Sequence, residues 1–289
     1  MPARDIITAV PVAFHDDGSL DMDGSRAILR YVAASGNEGA FVVGTTGEFP
    51  SLSFAERAEL VVASVEELSP HMRVIAHVGA SSLYETLNLL QQAREAGVTE
   101  VAVVTPYYLP VSDRMLYDFY TAVSAAADGL SVFIYLYRKR TGNFISTELM
   151  ARLARLPHIV GVKISEESLE QIAAFRAAVP DSFTIYTGAD RDLGRAADAG
   201  AQGVVSGVSS VLPKPFRALA AAAEGGAARQ RTEAQAAVDA VVDAVAGDMG
   251  RMKAVYRMLG IPAGTTRMAI EPPSEQVLAE LQRAVELYA

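Results

Sequence analysis

The chain has no cysteine in its 289 residues. Disulfides, thiolate nucleophiles, iron–sulfur clusters and cysteine-ligated zinc are therefore excluded. It has only four histidines, His15, His71, His77 and His158, and their spacing matches no metal site. No metal and no cofactor is expected. No uninterrupted apolar run is long enough to span a bilayer, so a membrane is not an expected partner. The apolar stretch near the N-terminus carries Asp5 and is cut by Pro11, so it does not read as a signal peptide. A cytoplasmic location is the expectation. An excess of positive charge is also missing, because the formal net charge is -9. A nucleic-acid binder would normally show a basic surface, and none is expected here. An anionic small substrate stays open, since a few local arginines can outweigh the global sign.

Lysine is scarce. Of 25 basic residues four are lysine, which leaves twenty-one arginines. Lys139 lies in a basic loop, Lys214 in a Pro-Lys-Pro turn and Lys253 in a polar helical stretch. Lys163 alone sits in an apolar, β-branched run, residues 158–165, which reads as a strand entered by Leu156-Pro157. Arginine cannot replace a lysine that must lose its proton. An amine held among apolar side chains has its charged form disfavoured, which is what a nucleophile needs. Taken alone, the residue reads first as a lysine that snorkels from a strand end into water.

The rest of the chain alternates strand and helix. Strands are expected over residues 6–12, 39–43, 74–78, 101–105, 132–136, 159–164, 183–187 and 202–206. The helices between and after them are expected over 23–34, from a Ser53 cap to about 68, 83–96, up to 126, 147–154, 169–178, 191–199 and 214–223. Ser53 and Glu56 have capping-box spacing. Gly97 and Gly200 mark helix-to-strand turns. Eight such units, with strands apolar on both faces, predict a (β/α)8 TIM barrel over residues 1–224. A doubly wound open sheet is the rival, but no G-x-G-x-x-G follows the first strand. Further helices over 229–246, 251–259 and 275–288 form a C-terminal extension, residues 225–289, packed on the barrel.

Barrel chemistry gathers at the C-terminal strand ends. Read together, those ends bring Thr45, Thr46, Tyr107, Tyr108, Tyr135, Arg140, Lys163, Gly188, Asp190, Val205 and Ser206. A neutral lysine attacks a ketone to form a Schiff base, and a tyrosine hydroxyl moves protons. Threonine hydroxyls with backbone N–H groups hold a carboxylate, and arginine clamps a second one. Individually each is weak. Gly44-Thr45-Thr46-Gly47-Glu48 also fits a tight turn, Tyr135 a satisfied core tyrosine, and Arg138-Lys139-Arg140 a solvated loop.

In combination, Gly44-Thr45-Thr46-Gly47-Glu48, Thr105-Pro106-Tyr107-Tyr108, Tyr135 with Arg140-Thr141-Gly142, and Gly161-Val162-Lys163 resemble the dihydrodipicolinate synthase / N-acetylneuraminate lyase family over nearly the whole chain. Residues 260–272 also resemble its tail. The resemblance implies a pyruvate-handling class I aldolase, a homotetramer built as a dimer of dimers. Lys163 would form the Schiff base, Tyr135 would be the acid/base tyrosine and Thr45 would belong to its proton relay. Tyr108 would reach into a neighbouring subunit's site. Thr46 would bind the pyruvate carboxylate, Arg140 the acceptor's, and Gly188 and Val205 would line the pocket. The chain departs from the synthases at Val12-Ala13, where they usually have Thr-Pro. It departs again at Leu136 and Arg138, where they usually have Asn and Pro, and in Ile164-Ser165-Glu166-Glu167 after the lysine. Leu136 and Arg138 are expected to alter the acceptor side by removing a polar group and adding a cation.

The expected function is a Schiff-base lyase or synthase acting on pyruvate or a 2-oxo acid together with an aldehyde. Dihydrodipicolinate-synthase-type chemistry, joining pyruvate and aspartate semialdehyde, ranks ahead of a 2-keto-3-deoxy sugar acid aldolase or dehydratase. A catalytically silent 2-oxo-acid-binding protein and an unrelated metal- or flavin-dependent barrel are the readings of other classes.

Overall fold

Short strands that are apolar throughout must bury both faces, and a ring of strands jacketed by helices does so without leaving an edge. The computed structural model describes residues 4–289. Its elements run β1 (Asp5–Ala9), α1 (Met22–Ala33), β2 (Gly39–Val42), α2 (Phe54–Leu68), β3 (Arg73–His77), α3 (Leu83–Glu95), β4 (Glu100–Val104), α4 (Asp113–Ala126) and β5 (Ser131–Leu136). The single turn α5 (Arg138–Thr141) and α6 (Thr147–Leu153) lead to β6 (Ile159–Ile164), α7 (Leu169–Ala178), β7 (Thr184–Thr187), β8 (Gly203–Ser206) and α8 (Pro213–Gly225). Then come α9 (Ala228–Val245), α10 (Met249–Met258) and α11 (Glu275–Tyr288). The eight strands close in sequence order, all parallel, with β1 pairing β8. This is the predicted (β/α)8 barrel. α9 packs on α8, and α11 packs on α9 and α10.

Local chemistry explains the boundaries. β1 stops before Pro11, which has no N–H for the ladder. Ser53 accepts the Glu56 N–H while Glu56 accepts the Ser53 N–H, so α2 begins with the predicted capping box. Gly97 and Gly200 both have positive φ. One register detail matters most. Val132 pairs with Ile159, but Phe133 pairs with Gly161, so β6 carries one extra residue. Beyond that bulge Tyr135 pairs with Lys163. Without it Tyr135 would face Val162, and Lys163 would turn to the outside of the wall. Gly161 permits the close approach, since a Cβ there would come within 2.5 Å of the Thr184 carbonyl and 2.7 Å of the Phe133 ring.

Two expectations are corrected. Residues 191–199 do not form an α-helix. A 3-10 turn (Asp190–Asp192) runs into successive turns in which the N–H groups of Arg195, Asp198, Ala199 and Gly200 bond three residues back. α9 explains the difference. Arg191 reaches across to Asp239 and Asp243 of α9, and a Cβ on Gly194 would meet the Gln235 side chain at 2.9 Å. Lys253 is likewise not on a polar surface. Its residue is 1% exposed, and its Nζ lies 2.8 Å from Glu48 Oε1. It also donates to the Thr265 carbonyl. The other Glu48 oxygen accepts the N–H groups of Arg267 and Met268 at 2.9 and 2.7 Å. Glu48 takes a left-handed backbone, φ 54°, a strain tolerated only where surroundings over-determine it.

This pair ties the loop after β2 to the C-terminal segment, and Arg267 adds a second tie through a bidentate bond to Glu56 at 2.7 and 3.0 Å. Breaking a buried pair leaves an uncompensated charge, so Lys253→Met should lower the unfolding free energy by about 3–5 kcal/mol in denaturant titration. The Glu48→Gln/Lys253→Met double variant should lose less than the sum of the two single variants. Hydrogen bonds from Arg267 hold the Glu56 carboxyl down at about 2, from an ordinary 4.5. A depressed carboxyl contributes stability above its unfolded value and loses it as pH falls toward the folded one. Stability should therefore drop between pH 4.5 and 2, and Glu56→Gln should flatten that drop. Superimposable pH curves for the two proteins would contradict this.

Candidate active site

The register places Lys163 between Tyr135 of β5 and Tyr186 of β7. Paired residues share a face, so all three belong to the barrel interior. They divide by height. The Tyr186 hydroxyl donates to Asp5 Oδ2 at 2.6 Å and accepts from Arg73 at 3.1 Å. Arg73 also grips Glu100 at 2.7 Å. Asp5, Arg73 and Glu100 begin their strands, so this cluster closes the N-terminal end, where barrel residues serve stability.

Lys163 and Tyr135 sit toward the open end. The lysine is 7% exposed, which sets aside the snorkelling alternative. Its Nζ donates to Ser165 Oγ and lies 4.1 Å from the centre of the Tyr135 ring. Tyr135 is buried, and its hydroxyl is 3.0 Å from Thr45 Oγ1. Its ring rests edge-on against Phe41 and His77. His77 Nδ1 lies 3.1 Å from the Val43 carbonyl and 3.4 Å from Arg57 Nη2. Burial first, and then neighbouring Arg57, push this imidazole well below its ordinary range. His77 is thus neutral packing beneath the phenol.

A cavity of about 450 Å³ opens over the amine. Thr45, Thr46, Tyr135, Arg140, Lys163, Gly188 and Val205 all line it, so seven of the eight sequence-predicted site residues meet there. A Cβ on Gly188 would stand 2.8 Å from Ser165 Oγ and 3.2 Å from Lys163 Nζ. Glycine at that position keeps the space beside the amine open. Asp190 also lines the cavity, and its Oδ1 is buried without a partner. Burial raises its carboxyl to about 6, against the opposing pull of Ser206 and Lys163. At the rim, α5 carries Arg140, exposed to solvent, and ends on Gly142 in the left-handed conformation.

The eighth residue, Tyr108, is not in this cavity. It is 91% exposed with φ 81°, beside exposed Leu109 and Met115. The expected effect of residues 136 and 138 is also corrected. Leu136 is buried in the barrel wall, where its carbonyl accepts the Ser165 N–H. Arg138 lies over the Phe144 ring at 5.0 Å, outside the cavity. The altered surface comes instead from Tyr137, Ser165 and Glu166. Tyr137 was legible in principle, since two residues along a strand return to the same face. Arg191 and the α9–α10 junction (Val242, Asp243, Ala246, Gly247, Met249) close the other side. No local signal marks the junction residues, because they lie in or between α9 and α10, distant in sequence from the strand ends.

Comparisons with known proteins identify the family and the fold. The sequence model of the dihydrodipicolinate synthetase family matches residues 2–287. A 4-hydroxy-tetrahydrodipicolinate synthase of Azoarcus sp. is 34% identical over 227 residues, 78% of this chain and 77% of that protein. The one of Synechococcus elongatus is 30% identical over 278 residues, 96% of this chain and 93% of that protein. The crystal structure of a dihydrodipicolinate synthase from Bacillus anthracis superposes with a TM-score of 0.92 at 25% identity, covering 100% of this chain and 99% of that one. Among the described residues no helix is long and apolar enough to cross a membrane. A lysine buried at the mouth of a closed eightfold barrel, within a sequence match that runs almost end to end, makes this chain a member of the dihydrodipicolinate synthetase family.

Proposed function

We propose that the protein is a class I lyase or synthase in which Lys163 forms an imine with pyruvate or another 2-oxo acid. The observation that carries this reading is the buried Lys163 amine lying against Tyr135, whose hydroxyl is bonded to Thr45. The unprotonated amine attacks the keto carbon; one proton supplied through Tyr135 and loss of water then leave the protonated imine. The imine draws electrons from the adjacent methyl carbon. Loss of a proton there gives an enamine, which adds to the carbonyl carbon of an aldehyde; the reverse sequence cleaves that bond. Tyr135 moves the protons, with Thr45 as the next member of its relay. Thr46 binds the carboxylate of the 2-oxo acid, with Gly188 and Val205 as the pocket wall. Arg140 takes a carboxylate on the aldehyde.

Condensation of pyruvate with aspartate semialdehyde ranks first. Arg140 at the rim supports it, and so does the naming of the relatives. A 2-keto-3-deoxy sugar acid aldolase or dehydratase ranks second, supported by the unpartnered Asp190 oxygen, which suits a substrate hydroxyl. A silent 2-oxo-acid-binding protein is disfavoured, because mere binding does not require Lys163, Tyr135 and Thr45 together. Tyr108, exposed beside other apolar side chains, extends the relay into a neighbouring subunit of a cytoplasmic homotetramer. The extension, residues 225–289, completes the cavity wall of the barrel, residues 1–224.

Borohydride reduction in the presence of pyruvate, followed by mass spectrometry, should place one adduct on Lys163. Lys163→Arg should fold normally, form no adduct and be inactive; turnover in that variant would end the proposal. Tyr135→Phe should lower kcat about 100-fold or more while imine formation falls less. Equal loss of both would assign the phenol a positioning role instead.

A further inference from the structure

Three basic side chains line the cavity, and two are committed. Lys163 carries the chemistry and donates to Ser165. Arg191 is held between Asp239 and Asp243. Arg140 differs. Its only side-chain bond among the described residues runs from Nε to the Tyr137 hydroxyl at 3.5 Å, and its guanidinium carbon stands 5.8 Å from that ring's centre. Both terminal amino groups remain free for a ligand.

Tyr137 is itself held. Its hydroxyl donates to Glu166 Oε1 at 2.6 Å, and Glu166 Oε2 receives Lys139 Nζ at 2.6 Å. A phenol has one proton, so giving it to Glu166 leaves a lone pair as the only thing it can offer Arg140. The order is therefore one-directional: lysine to carboxylate, phenol to carboxylate, guanidinium to phenol. Charge state agrees. Burial and then Glu166 raise the Tyr137 phenol, so it stays protonated. Lys139 and then Tyr137 lower the Glu166 carboxyl, so it stays ionised. Glu166 also adopts φ 59°, a left-handed backbone for a residue with a long side chain, which persists where contacts hold it. Tyr137 and Glu166 follow the ends of β5 and β6, the two strands that carry Tyr135 and Lys163.

We infer that Tyr137 and Glu166 are positioning residues that aim Arg140 at the acceptor, selecting an aldehyde that bears a carboxylate over an uncharged one. The inference rests on the Schiff-base reading above. Its test is steady-state kinetics at saturating pyruvate with two aldehydes of equal chain length, one ending in a carboxylate and one uncharged. The wild type, Tyr137→Phe, Glu166→Gln, Arg140→Ala and Arg140→Ala/Tyr137→Phe are compared. The ratio of kcat/KM for charged over uncharged aldehyde should fall about tenfold in Tyr137→Phe and in Glu166→Gln, mainly through the KM of the charged one. The double variant should discriminate no worse than Arg140→Ala, because the phenol acts through the guanidinium. Equal losses for both aldehydes, additive losses in the double variant, or a wild type that traps pyruvate yet shows no preference would each overturn the inference. Borohydride trapping on the same preparations separates the two ideas. No wild-type adduct on Lys163 removes the Schiff-base reading and this inference together. An adduct with unchanged discrimination in the variants removes this inference alone.

Discussion

A long side chain of a parallel strand can face either the barrel interior or the helical jacket, and a single-residue change of register decides which. For this protein the decision is made at one irregularity, between β5 and β6, where β6 accommodates an extra residue beside Gly161. Past that point an amine and a phenol lie on one face of neighbouring strands. The proposed imine, its proton shuttle and the cavity above them all presuppose that pairing.

Around it the barrel uses its two ends differently. The N-terminal end is closed by Tyr186 among Asp5 and Arg73, with Arg73 also bound to Glu100, charges that satisfy one another. The C-terminal end leaves polar atoms uncommitted, including an oxygen of Asp190 and the terminal groups of Arg140. A buried polar group without a partner is costly, so the Asp190 oxygen marks a place where a ligand would compensate it. The buried Glu48–Lys253 pair links this end to the tail. Glu48 lies two residues beyond Thr46, so the helices that follow the barrel also hold the threonines of the first site loop.

Much of this was legible in the residues. Strand count, helix caps at Ser53, glycines at 97 and 200, and the apolar setting of Lys163 are local properties, and local chemistry produces them. The threonine, tyrosine, glycine and lysine motifs also announced which strand ends matter. The failures share a cause. Residues 191–199 have adequate helix formers, but α9 competes for Arg191 and sits against Gly194. Lys253 looks solvated along its own helix because its carboxylate partner is 205 residues away. Arg138 and Leu136 were credited with reshaping the pocket, yet the side chain that does so is Tyr137 between them.

The sequence by itself determined the alternation of strand and helix, the family, and a short set of residues able to do imine chemistry. These follow from periodicity, capping and residue type, which act over a few positions. Tertiary structure alone decided which oxygen faces which nitrogen. It brought Glu166 to Tyr137, Glu48 to Lys253 and α9 to the cavity wall. Those contacts depend on strand register and helix docking, which are settled by how the whole ring closes and packs rather than by any one segment.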